Sequence, residues 1–387
     1  MDSILEVTVV MPCLNEAKTV AACVREALQS LQAGGLIGEV VVADNGSMDG
    51  SQKLATDAGA RVVQANRRGY GAALMAGIEA ARGRYIVMGD ADGSYNFGDV
   101  PRFVAALRGG SVLAQGCRLP AGGGSVDAGA MPWSHRWIGN PGLTWLARQM
   151  FNTPVHDVYC GLRGFRRELY DRLALKCTGM EFATEMIIKS ALHRVATSEV
   201  STTLRRDGRG GRAPHLRTFR DGWRTLRLFL LFSPQWVHLI PGLSLFIFGL
   251  VVGVMAWMGA RIGSATLGPH SLLVASAALL VGQQSLWVGL FARSFAVIEG
   301  IAPFNERLAR IQRGFSLERS LFVGLGLVIA GLGSVAVVFM QWQNNEYGPL
   351  DYPTTLRWVI PGITVIALGF QTVSGGFALN LLTLERK

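Results

Sequence analysis

The stretch Gly83-Arg84-Tyr85-Ile86-Val87-Met88-Gly89-Asp90-Ala91-Asp92-Gly93-Ser94-Tyr95 decides how the chain reads, because a short apolar run stops there at two carboxylates one residue apart. Tyr85 to Met88 predicts a buried strand. Side chains alternate along a strand, so Asp90 and Asp92 would face one divalent cation if the extended backbone continued past Met88. Paired carboxylate oxygens suit Mg²⁺ or Mn²⁺. Asp-Ala-Asp-Gly equally fits the turn that ends a strand, since Asp and Gly are common turn residues.

Upstream, strand and helix signals alternate. Val7-Thr8-Val9-Val10-Met11-Pro12 is a β-branched run closed by proline, and from Asn15-Glu16 a helical period carries Val20, Cys23, Val24, Ala27, Leu28 and Leu31 on one face. Glu39-Val40-Val41-Val42-Ala43 predicts a second strand, followed by the turn-rich Asp44-Asn45-Gly46-Ser47-Met48-Asp49-Gly50-Ser51; Arg61-Val62-Val63-Gln64 predicts a third. After Asn66-Arg67-Arg68-Gly69-Tyr70-Gly71 an amphipathic segment, Met75 to Ala81, leads into the strand before Asp90. This alternation predicts an α/β domain with a mostly parallel sheet and helices on both faces. Ligands of such sheets bind at the carboxyl ends of the strands, and Glu16, Asp44, Gly69 and Asp90 each follow a predicted strand. Gly69-x-Gly71 lacks the third glycine of a dinucleotide fingerprint and follows the wrong strand, which argues against a dehydrogenase.

Half of the 387 residues are hydrophobic and 17% are charged, a length for about two domains. The apolar residues concentrate after position 235, in four segments near 239–258, 272–297, 321–340 and 358–382, each long enough to cross about 30 Å of hydrocarbon. They read as two membrane-spanning hairpins. The connection 299–320 holds Arg307, Arg310, Arg313 and Arg319, whereas 341–355 holds only Glu346 and Asp351 among charged residues. The positive-inside tendency therefore places that connection, both termini and the first domain in the cytosol. With no basic, apolar leader at the N-terminus, an integral protein of a bacterial plasma membrane is expected. Apart from Arg293 the spans carry few ionisable groups, which disfavours a channel.

The formal charge of +10 is uneven: eight arginines face two aspartates between Arg205 and Arg227, just before the first apolar segment. That placement favours an anionic membrane surface or phosphate ligands, and no zinc-finger, homeodomain or RNP pattern supports nucleic acid. Residues 214–235 predict an interfacial helix with Leu216, Phe219, Trp223, Leu226 and Leu230 on its apolar side. The expected division is thus a cytosolic domain 1–213, an interfacial helix 214–235 and a membrane domain 236–387. Five scattered cysteines without a C-x-x-C pair disfavour a zinc site and a disulfide framework. His135, His156 and His193 show no ligand spacing.

Pro12-x-x-Asn15-Glu16, Val42-x-Asp44-Asn45-Gly46-Ser47-x-Asp49-Gly50, Asn66-x-x-Gly69 and Asp90-Ala91-Asp92, in this order and spacing, resemble glycosyltransferase family 2 with the GT-A fold, nearest to the polyprenyl-phosphate sugar synthases such as the dolichol-phosphate mannose and glucose synthases. The resemblance covers about residues 5 to 230. It implies that Pro12, Glu16, Asp44 and Gly69 bind the nucleotide, and that Asp90 and Asp92 hold Mg²⁺ or Mn²⁺ on its diphosphate, with Asp92 essential to catalysis. Ser94 stands where some mannose synthases carry Gln as a further metal-side ligand. Arg118, after Gln115-Gly116-Cys117, and Arg136 would hold the acceptor phosphate. Asn140 would assist from a helical face shared with Arg136. Read without the family, both arginines fit a solvent-exposed surface. Asp157-x-x-x-Gly161-x-Arg163 matches a family block, in which Asp157 and Glu181 would touch the sugar or position Arg163. Glu181 and Glu185, four apart, also fit a solvated helix face. Arg206, or Arg212 in the same basic loop, would reach the diphosphate.

The implied reaction is an inverting transfer of a hexose from a nucleotide-diphosphate sugar, UDP-glucose preferred and GDP-mannose compatible, to a membrane polyprenyl phosphate, by a chain compatible with a homo-oligomer. A processive polysaccharide synthase is the alternative enzyme, although the Gln-x-x-Arg-Trp motif of such enzymes is missing. A non-catalytic sugar-nucleotide-binding membrane module is the alternative outside enzymes.

Overall fold

A computed structural model describes residues 5–208, 218–304 and 306–384. The chain divides into two compact units, Met1–Phe232 and Ser233–Lys387.

The first unit is built on β1 (Val7–Cys13), α1 (Val20–Ala33), β2 (Gly38–Asp44), α2 (Ser51–Asp57), β3 (Arg61–Gln64), α3 (Tyr70–Ala80) and β4 (Tyr85–Met88). It continues with α4 (Val100–Arg108), β5 (Leu113–Cys117), β6 (Ser125–Val126), α5 (Asn140–Phe151), β7 (Arg163–Arg166), α6 (Arg167–Leu173), α7 (Phe182–Leu192), β8 (Thr197–Ser201), β9 (Thr203–Leu204) and α8 (Thr218–Phe232). Seven strands form one sheet in the order β3-β2-β1-β4-β7-β5-β8. Period-two alternation divides each central strand between two cores: Val9, Met11 and Val87 enter the core on one face, and Val10, Ile86 and Met88 the core on the other. Fully buried strands of this kind read as near-continuous apolar runs, which is why β1 and β2 are conspicuous in the sequence.

The sheet is parallel except at β7, which pairs antiparallel with both β4 and β5. The reason is topological. The chain leaves β5 at the carboxyl rim and re-enters the sheet at Arg163 from that same rim, opposite Met88 of β4 and Gln115 of β5, so β7 must run the other way. The excursion between them crosses the rim where ligands of such sheets bind.

α8 belongs to the first unit and carries apolar residues on two sides. Thr225, Leu228 and Phe229 are buried, Phe229 in edge contact with Phe151 of α5, while Trp223, Leu230 and Leu231 are exposed together with Arg220, Arg224 and Arg227. The stretch is amphipathic toward the protein as well as away from it.

The second unit contains α9 (Ile240–Trp257), the short β10 (Arg261–Ile262) and β11 (Ala265–Thr266), α10 (Pro269–Ile298), α11 (Glu306–Gly314), α12 (Leu317–Asn344) and α13 (Tyr352–Thr383). Four helices, Gln235–Trp257, Pro269–Ile298, Leu317–Asn344 and Tyr352–Leu382, are long and apolar enough to cross a membrane. Small residues let them approach closely. A methyl group on Gly331 would lie 2.5 Å from the Gly362 carbonyl oxygen, and one on Gly324 would lie 2.7 Å from that of Gly369. Both pairs repeat every seven residues, the period that keeps one seam facing its partner.

Candidate active site

The carboxyl ends of β1, β2 and β4 and the N-terminus of α3 open onto a cleft of about 490 Å³. Of the expected residues, Pro12, Glu16, Gly69 and Asp90 line it. Asn45 of the second motif joins them, as do Arg68, Tyr70, Met180 and Arg224, to which the sequence reading gave no individual role.

The loop after β1 is fastened to the loop after β2. Asn15 adopts φ +59°, donates its backbone N–H to Ser47 Oγ at 2.8 Å and accepts the Met48 N–H at 2.9 Å. The Glu16 and Ala17 amides donate to Ser51 Oγ and Asp49 Oδ2 at 2.8 and 3.0 Å. The Asn-Glu and Asp-Asn-Gly-Ser motifs are therefore two halves of one hydrogen-bonded rim. Asp44 organises this rim from beneath: it is fully buried, and its carboxylate accepts the Gly46 and Ser47 amides and Gln52 Nε2. Asp44 itself does not line the cleft, whereas its neighbours Asn45 and Gly46 do. Asn45 also bridges to the third loop, donating to the Arg67 carbonyl at 2.7 Å and accepting the Gly69 amide at 2.8 Å.

Gly69 has φ +136°, and a methyl group there would lie 2.3 Å from the Thr178 carbonyl oxygen. Only glycine permits both the backbone conformation and the contact. The residues it packs against belong to the segment before α7, which is held by a buried ion pair. Glu185 accepts the Lys176 and Cys177 amides at 3.0 and 2.8 Å and pairs with Lys189 Nζ at 2.9 Å, both side chains being 2% exposed. The solvated-face reading of Glu181 and Glu185 is thus corrected for Glu185. Glu181 meets Arg224 Nε of α8 at 3.5 Å.

At the Asp-Ala-Asp stretch β4 ends at Met88 and the backbone turns, so the extended spacing of Asp90 and Asp92 does not persist. Asp90 lines the cleft and accepts the Tyr70 hydroxyl at 2.8 Å. Burial and the Asp90 carboxylate push the Tyr70 phenol well above its usual range, so at neutral pH it remains a donor. Asp92 accepts the Ser94 amide and hydroxyl at 2.9 and 2.6 Å, which gives Ser94 a turn-closing contact. Thr19 Oγ1 donates to the Ala91 carbonyl at 2.7 Å, and the amides of Gly208 and Arg205 donate to the carbonyls of Asp92 and Ser94, both at 2.8 Å. The turn is held on three sides.

The expected acceptor group is arranged differently. Arg118 follows β5 as read, but Asp157 engages its side chain through Nε at 2.7 Å and Nη2 at 2.9 Å, in a pair 8% and 0% exposed. Asp157 therefore positions Arg118, not Arg163. Arg163 is fully buried, donates to the carbonyls of Ala183 and Cys160 at 2.6 and 2.7 Å, and its Nε has no partner; burial lowers its pKa. Arg136 lies in a π-helical turn, His135–Gly139, with its guanidinium 5.3 Å from the Trp137 ring, and Asn140 points Nδ2 at Met131 Sδ, 3.4 Å away. Neither lines the cleft. Arg206 is exposed and donates to the Ala128 carbonyl, while Arg205 binds Glu26 and Asn96; Arg212 lies outside the described residues.

Among the described residues no three His, Cys, Asp or Glu side chains converge as a metal cage. The five cysteines are free; burial raises Cys13 and Cys117 to about 11 and Cys23, Cys160 and Cys177 to about 12, which removes them as nucleophiles at neutral pH.

The sequence matches glycosyl transferase family 2 over residues 8–174 and the glycosyltransferase family 2 C-terminal transmembrane region over residues 290–383. The low-salt glycan biosynthesis hexosyltransferase Agl6 of Haloferax volcanii is 33% identical over 382 residues, 97% of this chain and 88% of that protein. A dolichyl-phosphate hexose transferase of the same organism is 32% identical over 163 residues, 42% of this chain and 68% of that protein. Glucosyl-3-phosphoglycerate synthase from Mycobacterium tuberculosis, solved with Mn²⁺, UDP-glucose and phosphoglyceric acid, is similar at 23% identity and a TM-score of 0.45, covering 59% of this chain and 78% of that one.

Proposed function

We propose, for a chain that belongs to glycosyltransferase family 2 and is a hexosyltransferase, that the donor is a nucleotide-diphosphate sugar and the acceptor a polyprenyl phosphate held in the membrane. The observation that carries this reading is one cleft lined by Glu16, Asn45, Gly69 and Asp90 on a chain whose second unit has four helices of membrane-spanning length. A lipid acceptor explains why a transferase would carry those helices. The likeness to a dolichyl-phosphate hexose transferase supports the same acceptor class.

The donor set fits a cation carried in with the diphosphate. Mg²⁺ is commonly bound by one or two carboxylates plus substrate phosphate oxygens, not by an all-protein cage, and Asp90 in the cleft with Asp92 in the same turn supplies that minimum. Bound there, the metal would offset charge developing on the leaving diphosphate. Tyr70 holds Asp90 in place by its hydroxyl, and the rim from Asn15 to Ser51 shapes the nucleotide end of the cleft. Arg224 replaces Arg206 and Arg212 as our candidate for the diphosphate, because it lines the cleft beside Gly179 and Met180.

In the reaction an acceptor phosphate oxygen attacks the anomeric carbon. The carbon–oxygen bond to the diphosphate breaks from the opposite face, and the configuration inverts. A phosphomonoester with a second pKa of about 6 is already largely dianionic near neutral pH, so the site needs no strong general base. Arg118, fixed by Asp157, and Arg136 are the residues assigned to orient that phosphate. Arg310, Arg313 and Arg319 between the second and third spans, against Glu346 and Asp351 between the third and fourth, support a cytosolic catalytic unit.

The test is a lipid-extraction assay on the purified full chain with undecaprenyl or dolichyl phosphate, Mg²⁺ or Mn²⁺, and radiolabelled UDP- and GDP-sugars. Label should enter the lipid phase from one donor, UDP-glucose first, and EDTA should stop it. Asp92→Asn should lower turnover by about a thousandfold or more in a protein that still folds. Nucleotide binding without lipid labelling by any donor would remove the acceptor assignment.

A further inference from the structure

We propose that the second unit carries a site for the phosphodiester headgroup of an anionic phospholipid, in a niche between α11 and the C-terminal end of α13. The niche encloses about 780 Å³, and its lining includes Phe304, Glu306, Arg310, Arg313, Ser316 and Asn380. None of these residues takes part in the cleft described above.

The placement follows from packing. α11 lies between two helices of membrane-spanning length, α10 ending at Ile298 and α12 starting at Leu317, so it sits where the chain meets the edge of the bilayer. Leu308 is buried in a cluster with Trp287, Leu290 and Leu379, which anchors one side of α11. Arg310 and Arg313, three residues apart and so neighbours on the helix surface, are exposed, and neither makes an ion pair or a side-chain hydrogen bond among the described residues. Two guanidinium groups at a membrane edge, neither held in an ion pair among the described residues, are a ready receptor for phosphate oxygens.

The walls are fixed in advance. Gln312 Nε2 donates to Ser294 Oγ at 2.8 Å, and that hydroxyl donates to the Leu290 carbonyl at 2.7 Å, tying α11 to α10. Asn380 Nδ2 donates to the Phe315 carbonyl at 3.1 Å, tying the turn after α11 to α13. A preformed niche loses less freedom on binding than a flexible basic loop.

The charge balance selects the ligand class. Among the described side chains lining the niche, two arginines oppose one glutamate, leaving one positive charge, which matches the single charge of a phosphodiester. The Glu306 carboxylate is an acceptor for a headgroup hydroxyl. Phe304, 73% exposed at the rim, offers an apolar body for the start of an acyl chain. Basic pockets of this kind between membrane helices bind anionic headgroups. A phosphate oxygen can come from a lipid or from free phosphate, and the experiment separates the two.

Native mass spectrometry of the full chain in detergent, titrated with short-chain phosphatidylglycerol, short-chain phosphatidylcholine and inorganic phosphate, reads the site directly. Phosphatidylglycerol should bind about tenfold more tightly than phosphatidylcholine, and millimolar inorganic phosphate should not displace it. The double variant Arg310→Gln/Arg313→Gln should lose that preference by about tenfold. Arg319→Gln, an arginine of the same connection outside the niche, should keep it. Equal binding of the two lipids, or an equal loss in Arg319→Gln, would reduce the feature to general surface charge and overturn the site. Inorganic phosphate binding as tightly as phosphatidylglycerol would overturn the lipid assignment. If the double variant does not fold, Arg313→Gln alone is read, and unchanged binding there overturns the proposal.

Discussion

The two units solve the same problem, holding helices and loops in register, with opposite chemistry. The first buries charge: Arg163, Arg118, Asp157, Glu185, Lys189 and Asp44 are all below a tenth exposed. The described buried polar residues of the second unit are serines and threonines alone. In its place stand glycines at helix crossings, Gly324 and Gly331 against Gly369 and Gly362. Charge inside a water-accessible domain can be paired and aimed at the rim where loops need fixing. In lipid the desolvation of an ion is rarely recovered, and close backbone contact between helices serves instead. Each unit should therefore fail in its own way when its device is removed.

The largest effect is expected at the Arg118–Asp157 pair. Asp157→Ala leaves a buried guanidinium without its carboxylate and should destabilise the first unit by about 3–5 kcal/mol. Thermal unfolding should show a fall of roughly 10 °C in the transition of that unit. A double replacement, Arg118→Met with Asp157→Leu, should recover much of that stability without recovering transfer, because it removes both charges but also the arginine assigned to the acceptor. A double variant that transferred sugar normally would remove Arg118 from the reaction.

Next comes the glycine of the first unit. Gly69→Ala puts a methyl group against the Thr178 carbonyl in a backbone conformation that alanine rarely adopts. The β1, β2 and α3 loops meet there, and a displacement of about 1 Å should lower kcat/KM roughly a hundredfold while the protein stays folded. Gly331→Leu is its counterpart in the second unit. It overpacks the α12–α13 crossing, with an expected loss of about 1–3 kcal/mol seen in detergent unfolding, and it should leave nucleotide binding by the first unit unchanged. If Gly69→Ala lost stability and Gly331→Leu lost nucleotide binding, the contrast between the units would be wrong.

The sequence allowed the fold to be read where physics is local. Strands β1, β2 and β4 are continuous apolar runs, and the Asn-Glu, Asp-Asn-Gly-Ser and Asp-Ala-Asp motifs sit at their carboxyl ends, so cleft and rim were both legible. What escaped was non-local. Arg118 and Asp157 are 39 residues apart, and nothing in either motif says that they pair with each other. The direction of β7 depends on the chain returning from the rim it left, which no local signal encodes. α8 has apolar residues on two sides: the pattern marks Trp223 and Leu230, which are exposed, and carries no sign that the domain buries Leu228 and Phe229. Arg224 likewise comes to the cleft only because α8 packs on the first unit, which no local signal encodes. Tyr70 escaped because a tyrosine beside a glycine-rich loop carries no motif of its own.

Tyr70 gives the mildest of the expected effects and the sharpest check on how the first unit uses buried polarity. Its hydroxyl reaches Asp90 Oδ1 at 2.8 Å, a hydrogen bond to a carboxylate. Tyr70→Phe removes that donor while keeping the ring, so the fold should hold and Asp90 should lose only its lateral support, lowering kcat about tenfold with little change in nucleotide affinity. The phenol pKa is raised by burial and by Asp90, so the group stays protonated throughout the range from about pH 6 to 9. The pH–rate profiles of wild type and Tyr70→Phe should accordingly run parallel across that range. A profile in which wild type lost activity at the alkaline end and the variant did not would mean that the phenol ionises in this range, and that this carboxylate is not positioned by a neutral, half-buried donor.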